Sequence, residues 1–159
     1  MIKYFLYISF FFIGTTSIAQ NSCTTLGQKP NTAFPVCGTV VFNQSTVPNC
    51  TGASIPVPAC GGVSGGYNDV TPFWYKFTCF SGGSLGFTIT PNTLDEDYDW
   101  QLFDVTSHNP DDVFTDSTLL VACDWSGDFG ITGAAAPPLG NSLVECQGPG
   151  VPLLVQCPP

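Results

Sequence analysis

Apolar and polar residues in this chain do not recur at helical spacing over any window of about 11 residues. They come in short runs broken by Gly, Pro, Asn and Ser. Phe73 to Phe80 (FWYKFTCF) is aromatic and β-branched, Ser81-Gly82-Gly83-Ser84 is turn chemistry, and Leu85 to Thr90 (LGFTIT) is a second run stopped by Pro91-Asn92. That pattern predicts an antiparallel hairpin. Asp99 to Val105 (DWQLFDV) and Thr118 to Ala122 (TLLVA) read as further strands, Thr39 to Phe42 (TVVF) as an earlier one, and Val151 to Val155 as a late one. Ile55-Pro56-Val57-Pro58 must be extended, and its prolines confine it to an edge or a loop. Short strands at roughly ten-residue spacing with Gly/Pro/Asn turns predict an all-β domain, an antiparallel β-sandwich of jelly-roll type. Five or six strands are readable, where a sandwich usually has about seven or eight. The chain therefore reads either as the N-terminal part of a longer protein or as a small, stapled sandwich.

The N-terminus follows a different pattern. Lys3 precedes the ten-residue apolar run Tyr4 to Ile13, and Ser17-Ile18-Ala19 offers a small-x-small cleavage site. The run is too short to span a bilayer, which needs about 20 residues. Residues 1–19 are expected to be a signal peptide, with 20–159 as one domain and no membrane span after cleavage. All eight cysteines, Cys23, Cys37, Cys50, Cys60, Cys79, Cys123, Cys146 and Cys157, lie beyond it. An even count in an exported chain, with no C-x-x-C pair, favours disulfides over zinc or thioredoxin-like chemistry. Eight cysteines allow 105 pairings; a short Cys50–Cys60 loop clamping the Pro-rich segment is one geometrically reasonable choice.

Composition narrows the function. The 159 residues carry 12 Asp and Glu against three Lys and no Arg, for a formal charge of −9, or −10 once Lys3 is removed. Nothing basic is available to neutralise phosphates, so nucleic acid is not an expected partner. With 43 % hydrophobic residues the chain can build a core and is not a disordered acidic tail.

Ten of the twelve acids lie between Asp95 and Asp128. Asp95-Glu96-Asp97-Tyr98-Asp99 begins like an EF-hand loop, but Trp100 and Thr106 stand where that loop needs Gly and Glu, so an EF-hand is rejected. In an extended segment Asp95, Asp97 and Asp99 share one face, about 7 Å apart. At that distance carboxylates repel by only about 0.6 kcal/mol in water, which does not demand a cation. A calcium site with Asp95, Asp97, Asp99, Asp104 and Asp124 as ligands is one reading, with Asp124-Trp125-Ser126-Gly127-Asp128 as the opposing turn. A polar, solvated loop is the other.

Catalytic signals are weak. His108 is the lone histidine, in an Asn/Pro/Asp loop typical of a surface position, and no G-x-S-x-G surrounds any Ser. A glycosidase needs paired carboxylates across a cleft, and only two Glu exist. No enzyme activity is expected. Trp74, Trp100 and Trp125 are candidates for a sugar platform, but Trp74 and Trp100 sit inside strands and read rather as core; Trp125, in a polar turn, reads as the exposed ligand contact.

Several segments together resemble a known family. Phe34-Pro35-Val36-Cys37-Gly38, PFWYKFTCF (Pro72 to Phe80) with LGFTI (Leu85 to Ile89), DYDWQLFDVT (Asp97 to Thr106) and DWSG (Asp124 to Gly127) are similar to an N-terminal domain of large exported surface proteins of Bacteroidetes-type bacteria. Those proteins often carry PKD or other immunoglobulin-like repeats and end in gliding-motility-associated or type IX sorting domains. DYDWQLFDV also resembles the acidic strand of CUB and pre-peptidase C-terminal β-sandwiches, where Asp residues can bind calcium. That likeness implies Asp97, Asp99 and Asp104 as ligands and a CUB-like variant of the sandwich. The expectation is a non-catalytic extracellular adhesion or ligand-binding module, with a glycan or protein as partner. The alternatives are an accessory domain of a secreted hydrolase and a structural cap with no ligand.

Overall fold

The computed structural model describes residues 23, 25–36, 41–47, 50, 55–56, 60, 68–69, 72–147 and 150–157. The expected signal peptide and Cys37 fall outside them. The strands are β1 (Phe34–Pro35), β2 (Ile55–Pro56), β3 (Asn68–Asp69), β4 (Tyr75–Lys76), β5 (Gly83–Leu85), β6 (Phe87–Ile89), β7 (Trp100–Phe103), β8 (Leu120–Asp124), β9 (Thr132–Ala134), β10 (Gly140–Ser142), β11 (Val144–Glu145), β12 (Val151–Pro152) and β13 (Val155–Cys157). Helical structure among the described residues is confined to 3₁₀ turns, the longest being Pro110–Phe114. The described residues are therefore all-β, as the short apolar runs predicted.

The pairing departs from the sequence expectation. Phe73–Phe80 and Leu85–Thr90 do not form a hairpin. β4 pairs with β1 in parallel, β5 pairs antiparallel with β13, and β6 pairs antiparallel with β9. The Cys79–Cys157 disulfide explains the change. It anchors the end of the aromatic run beside β13, and β13 then takes the edge of β5 that a hairpin would have used. Thr39–Phe42 lies partly outside the described residues; Val41 and Phe42 are not in a strand.

β7, β8 and β11 form the largest sheet, with β8 in the middle. The strand expected at Thr118–Ala122 starts two residues later. Asp116 accepts hydrogen bonds at Oδ1 from the Thr118 backbone N–H (2.9 Å) and hydroxyl (2.6 Å), holding Ser117–Leu119 in a 3₁₀ turn before β8 begins. A second turn, Pro110–Phe114, is closed by a capping box in which Asn109 and Asp112 exchange side-chain and backbone bonds.

Both faces of β8 are covered. Ala122, fully buried, packs with Trp100, Ala134 and Val155, against Leu85, Phe87 and Ile89. Cys123, equally buried, packs on the other side with Cys60 and Trp125. The rings of Phe87 and Trp100 meet edge to face at 4.8 Å. Burying a side chain of Val155's size contributes about 1.5–3 kcal/mol, so this junction of β5, β6, β7, β8, β9 and β13 is the energetic centre. Gly133 shows how tightly it closes. Its φ is +144°, and a Cβ there would lie against the Phe87 carbonyl oxygen.

Three disulfides staple the fold: Cys23–Cys50, Cys60–Cys146 and Cys79–Cys157. Cys50 and Cys60 therefore do not pair with each other; Cys60 is drawn to Cys146 at the end of β11. Cys123 is a buried thiol with no disulfide partner among the described residues. Three bonds of this kind point to an oxidising compartment. No helix among the described residues is long and apolar enough to cross a membrane.

Candidate functional site

The end of β8 carries an aspartate into the interior. Asp124 is 3 % exposed, because β7 and β11 flank it and β9 lies beside it. Trp100 stands opposite it in the antiparallel register and Glu145 in the parallel one. A buried carboxylate needs hydrogen-bond donors, and the local sequence supplies them. The Ser126 backbone N–H donates to Oδ1 at 3.2 Å, and the Thr132 hydroxyl donates to Oδ2 at 2.5 Å. Thr132 Oγ1 in turn accepts from Trp100 Nε1 at 2.9 Å. Trp100, Thr132 and Asp124 thus form one hydrogen-bonded chain that ends at the buried carboxylate.

Above Asp124 opens a cavity of about 420 Å³. Asp97 and Asp128 line it together with exposed Tyr98, Phe129 and Ile131. The backbone holds the two walls in register, since the Gly130 N–H donates to the Glu96 carbonyl at 2.9 Å. Burial, then the charges of Asp124 and Asp128, pushes the Asp97 carboxyl above its ordinary range. Glu145 is pushed up by burial and then by Asp124, and its Oε1 is buried with no hydrogen-bond partner among the described residues. On the far face of β8 the Cys123 thiol is raised to about 11, by burial first and then by the same two acids.

The five proposed calcium ligands are therefore not one cluster. Asp97 and Asp124 are brought together, and Asp128 joins them. Asp95 and Asp99 are exposed along the segment that leads into β7. Asp104 follows the opposite end of β7, where its Oδ1 accepts from the Thr106 N–H at 2.9 Å. That bond is the main cause of its lowered pKa. Hard oxygen donors of the type calcium prefers converge on the cavity. No group of three His, Cys, Asp or Glu among the described residues is already arranged to hold a metal ion.

Trp125 is the clearest correction. It is 9 % exposed and packs with Cys60 and Cys123, so it is a core residue and not an exposed ligand contact. Its polar neighbours in sequence hid the disulfide that covers it in space. Trp100 is core, as its strand position predicted. Trp74 is half-buried between Phe103 and Phe114. His108 is exposed, with Nδ1 4.0 Å from Asp112 Oδ2.

Sequence reasoning missed Thr132 and Glu145 as members of the Asp124 environment. Thr132 carries no signal outside its alternation within a short strand, and Glu145 is distant from the acidic stretch. No family model, curated protein or solved structure matches the chain.

Proposed function

We propose that this chain is a non-catalytic binding module of an exported bacterial surface protein, built as a disulfide-stapled β-sandwich. The ligand meets it at the cavity over Asp124, and calcium is the cation that the cavity's carboxylates would hold. The observation that carries this reading is the buried Asp124. It is fixed by Ser126 and Thr132 and faced by Asp97 and Asp128, under a rim that keeps Tyr98, Phe129 and Ile131 exposed. A fixed carboxylate with two neighbours that repel it is a site where a divalent ion relieves charge, and exposed apolar side chains around it suit contact with a macromolecule. The three disulfides and the acidic, Arg-free composition fit an extracellular setting. The likeness of Phe34–Gly38, Pro72–Phe80, Asp97–Thr106 and Asp124–Gly127 to surface-protein domains supports the same setting.

Two measurements test the reading. Thermal melting with calcium should show a rise of several degrees at millimolar ion, since an ion at about a hundred times its Kd adds about 2.7 kcal/mol. Asp97→Asn should abolish the rise. A melting temperature that ignores calcium removes the ion from the proposal. Screening the module against immobilised extracellular glycans and proteins, with calcium and with chelator, tests the binding role. A blank result in both conditions favours a structural cap.

A further inference from the structure

The rim of the acidic cavity continues outward into an apolar patch. Tyr98 comes to it from the segment that leads into β7, Phe129 and Ile131 from the segment that follows β8. The Gly130 N–H, bonded to the Glu96 carbonyl, holds the two segments side by side. Gly130 has a φ of +99°, and a Cβ there would stand 3.4 Å from the Leu94 carbonyl oxygen, so Leu94 belongs to the same surface. The four side chains are 40–72 % exposed. Neither core cluster among the described residues includes them. Single exposed apolar residues need no explanation, but four grouped together mark a contact surface.

Carboxylates are interleaved with the patch. Asp95, Glu96, Asp97 and Asp99 surround Leu94 and Tyr98 in sequence, and Asp128 precedes Phe129. All five acids are exposed. Buried Asp124 adds its charge from below, and the raised pKa of Asp97, from burial first and then from Asp124 and Asp128, records repulsion that nothing nearby relieves.

An occupant has to serve both halves of this surface. A calcium ion neutralises carboxylates but leaves four apolar side chains in water. A neutral sugar can lie on a ring but sets no charge against the acids. Nucleic acids and anionic membranes bring the wrong sign. A second copy of the chain brings the same −9 and only three lysines, so self-association presses acid against acid. A polypeptide that mixes Arg or Lys with apolar side chains serves both. Its cationic heads pair with the carboxylates and lie over the Tyr98 and Phe129 rings, and its apolar groups cover Leu94 and Ile131. We infer that this patch docks a basic, partly apolar segment of another protein, one cationic side chain of which enters the cavity between Asp97 and Asp128. The inference rests on the binding-module reading, not on its calcium ion, and names a protein as the partner.

The test is fluorescence anisotropy with four short labelled peptides, with chelator present. The first alternates Arg and Leu between Gly-Ser spacers. The second replaces each Leu by Ser, the third each Arg by Ser, and the fourth each Arg by Glu. The Arg/Leu peptide should bind about tenfold or more tighter than the second and third, and the fourth should not bind. Raising salt from about 0.05 to 0.5 M should weaken the Arg/Leu complex severalfold. Phe129→Ser/Ile131→Ser removes exposed side chains, should leave the melting curve in place, and should weaken binding about tenfold. Asp128→Asn should weaken it about threefold. Phe80→Ser removes an equally exposed ring outside the patch and should change nothing. An Arg/Leu peptide held no tighter than the second or third overturns the inference, and so does binding that Phe129→Ser/Ile131→Ser leaves intact. A glycan from the surface screen that is lost in that double variant also overturns it, placing a sugar on the patch and leaving the binding module standing. A blank result with every glycan, protein and peptide strikes the binding module itself.

Discussion

Aromatic side chains meet opposite fates in two regions of this molecule. Around β7, β8 and β9, where six strands meet, Trp100 is 9 % exposed and Phe87 packs partly buried against it. Around β1 and β4, Phe34, Phe42, Phe73 and Tyr75 touch one another at 5.0–6.4 Å. Yet Phe42 and Tyr75 keep close to half their surface in water, and Phe80 is 96 % exposed. The residue types are alike, so hydrophobicity does not decide the difference. The number of sheets that meet does. A pair of two-residue strands covers one side of a ring, whereas three small sheets, β11–β8–β7, β13–β5 and β6–β9, converge on Trp100 and Phe87.

The first way to break this contrast is to cut the staple behind the well-packed region. Cys60 and Cys146 are 86 residues apart, and loss of a crosslink that long is worth about 4 kcal/mol in the chain-entropy view. The double variant Cys60→Ala/Cys146→Ala should melt on the order of 10 °C lower. An unchanged melting curve would mean that the β7–β8–β11 packing stands without its staple.

A smaller loss is expected from Thr132→Val, which keeps the shape but removes the hydroxyl linking Trp100 Nε1 to Asp124 Oδ2. Two buried polar groups would lose a partner, at about 1–3 kcal/mol. The urea midpoint should fall with an unchanged slope.

Smaller again is the response to pH, measured with chelator present. Asp97 and Glu145 have raised folded-state pKa values. Acidification from neutral through those values should therefore stabilise the protein, because the folded state takes up protons before the unfolded one does. The gain is complete once pH reaches the unfolded carboxylate values of 3.8 and 4.5. Asp104 has the opposite sign. Its lowered pKa supplies stability above 3.8 that is lost as pH falls through the folded value. A stability maximum in the mildly acidic range is expected, and Asp97→Asn should flatten its neutral side. A melting temperature that only falls on acidification would contradict the burial and repulsion that raise the Asp97 carboxyl.

The least effect belongs to the open region. Phe80→Ser should shift stability by no more than about 0.5 kcal/mol, because the ring it removes is almost wholly in solvent. A larger loss would show that the Phe80 ring is packed in solution.

The same contrast marks where sequence reading succeeded. β7 was legible because Trp100 to Phe103 sits between acids and fills a strand's period by itself. That the described residues hold no long helix was legible because no apolar spacing supported one. The partners of each strand were not, since β4, β5 and β6 choose theirs through Cys79–Cys157 and through β9 and β13, elements distant in sequence. In the site, the juxtaposition of Asp97 with the Asp124–Asp128 turn was readable from the crowding of acids. The burial of Trp125 was not: Asp124, Ser126 and Asp128 advertise an exposed loop, and only the register of β8 with β11 places Cys60 and Cys146 over the ring. Thr132 acts through a single hydroxyl whose address is set by the β6–β9 pairing.

The thiol of Cys123 packs in one cluster with Cys60, half of a disulfide. Thiol–disulfide exchange proceeds through the thiolate. With its pKa raised to about 11, Cys123 is ionised in roughly one molecule in ten thousand at neutral pH, against about one in thirty for an ordinary cysteine. Burial first, and then the charges of Asp124 and Glu145, thus act as a safety catch. They keep a reactive sulfur silent next to the bond it is best placed to scramble.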